Sequence, residues 1–474
     1  MKTIKYNLLF LLLAIFASSV FGSCSKEDAS EVMSKEESLA LKAKKFIYDY
    51  TSEAYLWRDR ISPSVDYRTA AGPVELFDQM KYKELDKWSY VSDDSDAEME
   101  SFQGVSTTFG YSLAFGVFSN MQDTYFAVVS FVYKDSPAQK AGLKRGDIIL
   151  TLAGEKLTSK NYTQLYYASS INIGLGEYTK EGIKDSGKSV SLAAVKMYED
   201  PVVEYRVIEA GGKRTGYLFY AGFYEESHSK LVEVFNKFKQ EGVSELILDL
   251  RYNPGGNALT PPYLASLFAP ESAVKGKKVF LTQTWNSLYM DYFKSTGQDM
   301  NSYFVSDIPV NLNLNRVFIL TTGGTASASE ATISGLMPYM DVVKIGASTY
   351  GKYCGAALLY PTDDKGNKDS EIGNWLLSLV VYKFVNINGF TEFKDGISVD
   401  YPVEDYGLLQ GIQLGDTADP LVAEALAIIG GTKAEAASQT ALPHGLQMLP
   451  HLSGHPKKGG NQYFFTLFPK AFQQ

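Results

Sequence analysis

Short apolar runs alternate with amphipathic stretches in the second half of the chain. Residues 245–251 (ELILDLR) and 317–320 (VFIL) have the length and the β-branched content of buried strands. Residues 229–242 carry apolar side chains along one helical face, and helical spacing of small and apolar residues begins again at Ala328. Because strands and helices alternate, residues 205–430 are predicted to form an α/β core.

Two further units precede this core. Residues 31–100 place apolar residues among many charges at helical spacing, which predicts a helical N-terminal region that ends in an acidic linker at 94–100. Residues 102–197 predict a β-rich unit. Beyond the core, residues 431–474 are rich in Gly, Pro and Ala and are interpreted as a poorly ordered C-terminal extension.

Composition narrows the functional classes. The 474 residues are enough for about three domains, and 45 Lys plus Arg against 54 Asp plus Glu give a net charge of −9 without a long basic run. Nucleic acid is therefore not an expected partner. Three of the four histidines (His228, His444, His451 and His455) lie in the C-terminal extension at a spacing that fits no standard zinc signature. We expect no metal and no cofactor.

The first 23 residues predict export. Two lysines near the start precede the apolar run 8–16, and small residues follow. Residues 21–24 (FGSC) resemble the lipobox of bacterial lipoproteins, which implies that Cys24 is lipidated and that residues 24–30 form a tether. On this interpretation the protein is a membrane-anchored lipoprotein of the cell envelope, periplasmic or surface-exposed; a plain signal peptide is the alternative.

Ser327 is the candidate nucleophile. It lies where the strand 317–320, broken by Gly323 and Gly324, turns into the helix that starts at Ala328. Such a turn exposes a hydroxyl, and the free N–H groups of the first helical turn can meet developing negative charge.

A serine hydroxyl needs a base within hydrogen-bond reach. Lys352 can act as that base if burial lowers its pKa from about 10.4 towards 7 or 8, a change of on the order of 4 kcal/mol. Apolar and glycine residues that precede Lys352 in the sequence could bury the amine: Val342, Val343, Ile345, Gly346 and Gly351. A thiolate nucleophile at Cys354 is the alternative for this segment, although a lone cysteine is more often an inert small hydrophobe.

These residues resemble the catalytic segment of the C-terminal processing (tail-specific) serine peptidases. The resemblance rests on residues 325–330 (TASASE) and on Gly351-Lys352. It implies that Ser327 is the nucleophile and that Lys352 is the base. The family pattern continues to a glutamine four residues after the lysine, where this chain has Ala356.

The run 249–256 (DLRYNPGG) is a second motif that resembles this family. A glycine here can bring its N–H close to a reacting carbonyl, so Gly255 or Gly256, together with Ala328, would form the oxyanion hole. The alternative is that the glycines only make a tight turn between strand and helix. Residues 384–400 further resemble the closing hairpin of the family, and Pro420 to Ile429 predict a last helix.

Residues 128–152 resemble a PDZ domain through their Ser-Pro-Ala, Ala-Gly-Leu and Gly-Asp runs. PDZ domains bind a peptide by strand addition and hold its terminal carboxylate on backbone N–H groups. The matching loop is expected at Phe109, Gly110, Tyr111 and Ser112. The alternative is a module that only braces the active site.

Together, the resemblances imply an α/β multidomain protein with a helical N-terminal region, a PDZ-like domain and a catalytic core of the ClpP/crotonase-like type. They imply a serine endopeptidase that cleaves proteins or peptides with free C-termini through Ser327 and Lys352, without a metal. Two alternatives remain open. One is a catalytically silent peptide-binding lipoprotein on the same scaffold, and the other is an interaction scaffold in which the PDZ-like module acts alone.

Overall fold

A computed structural model describes residues 33–432 and 445–449. The predicted export segment 1–23, Cys24 and the tether 24–30 lie outside the described residues, as do His444, His451 and His455. Within the described ranges, no helix is long and apolar enough to cross a lipid bilayer.

The helices are α1 Lys35–Ala54, α2 Pro73–Met80, α3 Ser95–Phe102, α4 Pro137–Lys140, α5 Gln164–Tyr167, α6 His228–Gln240, α7 Thr260–Ser266, α8 Glu271–Lys275, α9 Ser287–Thr296, α10 Ala328–Leu336 and α11 Pro420–Gly430. Short 3-10 turns lie at Arg58–Arg60 and Glu225–Ser227.

The strands are β1 Tyr90–Ser92, β2 Val105–Thr108, β3 Tyr111–Phe118, β4 Tyr125–Val132, β5 Ile148–Leu152, β6 Glu155–Lys156, β7 Ser170–Thr179, β8 Gly182–Ala193, β9 Val195–Tyr198, β10 Val202–Ala210, β11 Lys213–Tyr220, β12 Glu245–Asp249, β13 Val279–Trp285, β14 Asn301–Tyr303, β15 Arg316–Thr321, β16 Asp341–Gly346, β17 Cys354–Leu359, β18 Leu376–Val385, β19 Tyr401–Pro402 and β20 Leu446–Leu449.

A six-stranded sheet in the order β10-β11-β12-β15-β16-β19 forms the centre of the core. The strands from β11 to β19 pair in parallel, with Leu248 beside Ile319 and Thr321 beside Gly346. The central strands β12 and β15 are almost entirely buried, as expected for a parallel sheet covered on both faces. This confirms the predicted mixed helix and sheet fold, and it aligns the carboxyl ends of β12, β15 and β16 at one edge.

A five-stranded sheet joins the N-terminal region to the core. Its order is β1-β18-β13-β14, with β17 also paired to β18. Strand β1 belongs to the region predicted to be helical, and its pairing places Tyr90 beside Ser378. The prediction of an acidic linker at 94–100 is wrong, because residues 95–100 lie in α3. Asp94 is the N-cap of this helix, and its side chain accepts a hydrogen bond from the N–H of Ala97.

The PDZ-like unit is built on a sheet in the order β20-β3-β4-β5-β7-β8. Its core packs one face of this sheet against α5, through residues such as Phe115, Ile149 and Leu165. Helix α4 starts as its sequence predicts, because the Ser136 hydroxyl accepts a hydrogen bond from the N–H of Gln139 and Pro137 occupies the first turn.

One expectation for the C-terminal part is wrong, and a second is tested over only a few residues. The predicted closing hairpin at 384–400 is a run of turns after the end of β18, and the chain returns to the sheet through β19, which pairs in parallel with β16. Of the extension 431–474 predicted to be poorly ordered, residues 431–432 and 445–449 are described, and 446–449 form β20 on the edge of the PDZ-like sheet; the rest lies outside the described residues.

Candidate active site

Ser327 lies at the corner between β15 and α10. Its backbone has φ 55° and ψ −101°, a conformation that L-residues rarely adopt. The side chain is fully buried, and among the described residues its hydroxyl has no hydrogen-bond partner. A strained corner with a buried, unsatisfied hydroxyl is a recurrent sign of a functional position.

The Glu330 carboxylate connects this corner to the loop that carries Lys352. Its Oε2 accepts hydrogen bonds from the backbone N–H groups of Ser327 (2.6 Å) and Lys352 (2.9 Å). Its Oε1 accepts from the Thr349 hydroxyl (2.6 Å) and the Gly351 N–H (2.6 Å). The backbone nitrogens of Ser327 and Lys352 therefore lie no farther apart than the combined length of two hydrogen bonds.

Burial controls the protonation of both charged groups. It lowers the pKa of the Lys352 amine to about 8, while Cys354, Asp86 and Glu330 act in the opposite direction. It also raises the pKa of Glu330 to about 7, against the lowering effect of the four hydrogen bonds. About one tenth of the amine is thus uncharged at pH 7, far more than for an ordinary lysine, and a general base has to be uncharged.

The Asn-Pro-Gly-Gly turn is tied to both sides of Ser327. The Asn253 carbonyl accepts hydrogen bonds from the Ala326 N–H (3.0 Å) and the Ser329 hydroxyl (3.0 Å). The structure therefore brings together two motifs that are separated by about seventy residues of sequence.

The oxyanion-hole candidates differ in availability. The Gly255 N–H already donates to Asn253 Oδ1 (2.8 Å), so it is engaged within the turn. Gly256 has φ 143°, and a Cβ there would lie 2.2 Å from the Phe223 carbonyl oxygen, so only glycine fits. Ala328 is the first residue of α10, where N–H groups have no partner inside the helix.

The predicted peptide-binding loop is more closed than the sequence suggests. Phe109 and Tyr111 are buried, and the Tyr111 hydroxyl donates to the Leu165 carbonyl (2.6 Å). The N–H of Leu113, two residues after Tyr111 in β3, donates to the Tyr166 hydroxyl (3.1 Å). A peptide that adds to β3 at this point would have to replace the α5 tyrosine.

Sequence reasoning missed a buried network of charges behind the active site. Arg251 is fully buried and donates to Asp249 (2.9 Å), to both oxygens of Asp419 (2.9 and 3.0 Å) and to Asp405 (3.1 Å). Arg145 of the PDZ-like unit reaches the same Asp405 oxygen at 2.8 Å. The signal in the sequence was an arginine at the end of a strand predicted to be buried, a position that needs a counter-ion.

Sequence reasoning also assigned no chemistry to the N-terminal region, yet that region contributes a buried carboxylate close to Lys352. Asp86 accepts hydrogen bonds from the Tyr55 hydroxyl (2.7 Å) and from the N–H groups of Trp88 and Ser89 (2.9 Å each). Nearby, Cys354 is buried and burial holds the pKa of its thiol well above the usual range, which disfavours a thiolate nucleophile. In the described part of the chain, no group of three or more His, Cys, Asp or Glu residues could hold a metal ion.

Comparison with known proteins accounts for most of this architecture. Residues 214–403 match peptidase family S41, residues 42–90 match the peptidase S41 N-terminal domain, and residues 128–168 match a PDZ domain. The chain therefore belongs to the S41 peptidase family and carries a PDZ domain.

The relatives include named processing enzymes. The chain is 26% identical over 311 residues to the carboxy-terminal processing protease CtpB of Bacillus subtilis (strain 168), covering 64% of this chain and 55% of the relative. It is 25% identical over 278 residues to CtpA of the same strain, covering 58% and 53%. The matched region thus spans about half the length of these relatives.

A solved structure of a Bacteroides fragilis NCTC 9343 protein assigned to the S41 proteases is also similar. Its TM-score is 0.66 at 25% identity, and the match covers 81% of this chain and 97% of that one.

Proposed function

We propose that this protein is a serine endopeptidase that cleaves proteins or peptides near their C-termini with a Ser327–Lys352 dyad. One observation carries the proposal: a single carboxylate oxygen of Glu330 accepts the backbone N–H groups of both residues, while the amine is buried and its pKa is lowered to about 8. Family membership supports the same reaction class.

The proposed chemistry has two halves. The Ser327 oxygen attacks a peptide carbonyl while its proton passes to the uncharged Lys352 amine, and the N–H groups of Gly256 and Ala328 meet the negative charge that develops on the carbonyl oxygen. The intermediate then collapses, the C–N bond breaks, and the Lys352 ammonium gives its proton to the leaving amine.

Hydrolysis of the acyl-enzyme follows the same path with water. Lys352 takes a proton from the attacking water, the ester bond to Ser327 breaks, and the ammonium returns a proton to the serine oxygen. Since Ser327 is fully buried, a substrate can reach it only after neighbouring groups move. Substrate entry is therefore expected to be coupled to a conformational step.

Recognition and location complete the proposal. The PDZ domain would hold the free C-terminus of the substrate, with Phe109, Gly110, Tyr111 and Ser112 as the carboxylate loop. Lipidation at Cys24 would place the enzyme on a membrane of the cell envelope. Mass spectrometry of the mature N-terminus tests the anchor, and an unmodified cysteine would refute it.

Labelling with a fluorophosphonate and cleavage of casein test the dyad. We expect both signals to disappear in Ser327→Ala and Lys352→Ala. Ser329→Ala is the matched control, because this neighbouring buried serine bonds to the Asn253 carbonyl and should leave labelling intact. Labelling that survives in Ser327→Ala and disappears in Ser329→Ala would transfer the nucleophile to Ser329.

A catalytically silent peptide-binding protein is the second candidate function. Two observations favour it: the Ser327 hydroxyl is closed off from solvent, and Ala356 stands where the family has a glutamine. No labelling and no cleavage by the unmodified protein, together with binding of peptides that have a free C-terminus, would favour this candidate over the enzyme.

A further inference from the structure

Asp86 belongs to the N-terminal region, yet it lies against the segment that carries Lys352. Its carboxylate is buried, and both oxygens are held: Oδ1 by the N–H groups of Trp88 and Ser89, and Oδ2 by the Tyr55 hydroxyl. Tyr55 is itself fully buried and accepts the Tyr82 N–H at 3.1 Å. A fixed buried carboxylate of this kind needs a compensating positive charge nearby.

Two contacts bring this carboxylate to the lysine. The Ser89 hydroxyl accepts the Val380 N–H (2.9 Å), and Val380 is paired with Ala356 in the sheet. The Trp88 ring packs edge-on against Tyr353, the residue after Lys352, with ring centroids 6.1 Å apart. The Asp86 turn therefore lies behind the position where the family pattern has its glutamine.

Resting on the proposed function, we propose that Asp86, oriented by Tyr55, is the positioning residue for the Lys352 amine. Asp86 would orient the amine in place of a polar side chain at position 356, where this chain has alanine. When Lys352 takes the Ser327 proton, an ammonium forms in a buried site. A fixed carboxylate nearby stabilises that ammonium. The carboxylate also holds the amine in the orientation that proton transfer from Ser327 requires.

Three titratable groups raise the pKa of the Lys352 amine, and they come from three different elements. Asp86 comes from the N-terminal turn, Glu330 from α10 and Cys354 from β17. Cys354 is a neutral thiol because burial raises its pKa, and Glu330 is engaged with four donors. Removing the Asp86 charge should therefore lower the pKa of Lys352, and the acid limb of kcat/KM should move to lower pH.

Asp86→Asn is the test variant. Asparagine can keep the Trp88 and Ser89 bonds through Oδ1 and donate to the Tyr55 hydroxyl through Nδ2, so the fold should persist. We expect the acid limb to fall by about one pH unit and the plateau of kcat/KM to fall by about tenfold or more. Tyr55→Phe is the control that keeps the charge, so its limb should not move to lower pH.

A second readout does not depend on activity. The ¹³Cε resonance of Lys352, identified by its loss in Lys352→Arg, can be titrated by NMR in the unmodified protein and in Asp86→Asn. A lower lysine pKa in the variant supports the inference even if no peptidase activity exists, whereas an unchanged pKa overturns it. A folded Asp86→Asn with an unchanged acid limb also overturns it.

The edge of the PDZ sheet carries an independent observation. Strand β3 pairs with β4 on one side, and on the other side with β20, in a register that runs from Leu446 beside Phe118 to Leu449 beside Phe115. The Ser119 N–H adds a bond to the Gly445 carbonyl (2.9 Å). This second edge is the one to which a peptide would add as an extra strand.

The side chains of β20 pack on the face of the sheet that does not hold α5. Leu446 and Met448 lie against the apolar cluster that contains Phe126 and Val128, while Gln447 between them is exposed. Leu449 is half-buried like Leu446 and Met448, so β20 is held chiefly by its backbone pairing with β3, as an added edge strand is.

We infer that residues 445–449 are a resident intramolecular ligand of the PDZ domain, which a substrate C-terminus must displace. A segment of the same chain has a high effective concentration at its site, so it weakens the binding of any competing peptide. Together with Tyr166, which takes the Leu113 N–H, it closes the β3 edge from Leu113 to Phe118.

Fluorescence anisotropy with a labelled apolar peptide that has a free C-terminus tests this inference. Ending the chain at Gly431, or combining Leu446→Asp with Met448→Asp, should tighten binding on the order of tenfold. Gln447→Ala is the matched control and should bind like the unmodified protein. Equal affinity in all forms overturns the inference, and so does an absence of binding to the shortened chain. Neither outcome depends on peptidase activity.

Discussion

The pH dependence of catalysis tests the assignment of Lys352 as the base. Burial lowers the pKa of its amine to about 8. At pH 7 about one tenth of the amines are then uncharged, compared with about one in 2,500 for an ordinary lysine. The difference corresponds to about 3 kcal/mol in favour of the neutral form. A perturbation of this size should be visible in the kinetics of the unmodified protein.

The assay is kcat/KM for a chromogenic peptide between about pH 6 and pH 10. We expect kcat/KM to rise about tenfold per pH unit below the pKa of the base and to reach a plateau above about pH 8. Glu330, with a pKa of about 7, must also be ionised to hold its four donors, so the slope should approach two below about pH 7.

Two results would refute this reasoning. A limb with an apparent pKa near 10 would show that the amine behaves as an ordinary lysine and is not desolvated. A profile that is already flat at about pH 6 would show that no group with a pKa near 8 takes the serine proton.

Three further variants separate the roles around the dyad. Glu330→Gln leaves one acceptor oxygen for four donors, so the free energy of unfolding in urea titrations should fall by about 2 to 4 kcal/mol. The value of kcat/KM should also fall at least about 100-fold. An unchanged free energy of unfolding would contradict the role of Glu330 in joining the two segments. Gly256→Ala places a methyl 2.2 Å from a carbonyl oxygen, and kcat/KM should fall by about 100-fold or more; near-normal cleavage would remove this N–H from the oxyanion hole. Cys354→Ala should keep kcat/KM within about threefold of the unmodified protein, and both proteins should remain active after treatment with iodoacetamide. Inactivation of the unmodified protein by alkylation would instead support Cys354 as a thiolate nucleophile.

The sequence predicted well what depends on local pattern. The strand, corner and helix around Ser327 follow from an apolar run, two glycines and helical spacing, and the structure forms β15 and α10 at these positions. The spacing of Ser327 and Glu330 also matches a capping-box pattern. That pattern could have indicated the N–H bond from Ser327, although not the second set of bonds to the loop at 349–352.

The sequence could not predict contacts that depend on how separate units pack. Asp86 approaches Lys352 only because β1 joins the edge of the β18 sheet, and nothing in the 31–100 pattern specifies that pairing. Strand β20 was missed for a related reason. Its four residues carry a weak local signal, and they become a strand because β3 offers an unpaired edge.

The buried arginines affect how the PDZ domain can be studied. Arg145 crosses from that domain to Asp405, and it also donates to the Ile412 carbonyl while its own carbonyl accepts from Gln413. Deleting the domain would remove one of the two cations that neutralise the acidic cluster around Asp419. Loss of activity after deletion of the domain would therefore reflect a destabilised catalytic core. The contribution of peptide binding has to be measured with single substitutions at the edge of the PDZ sheet.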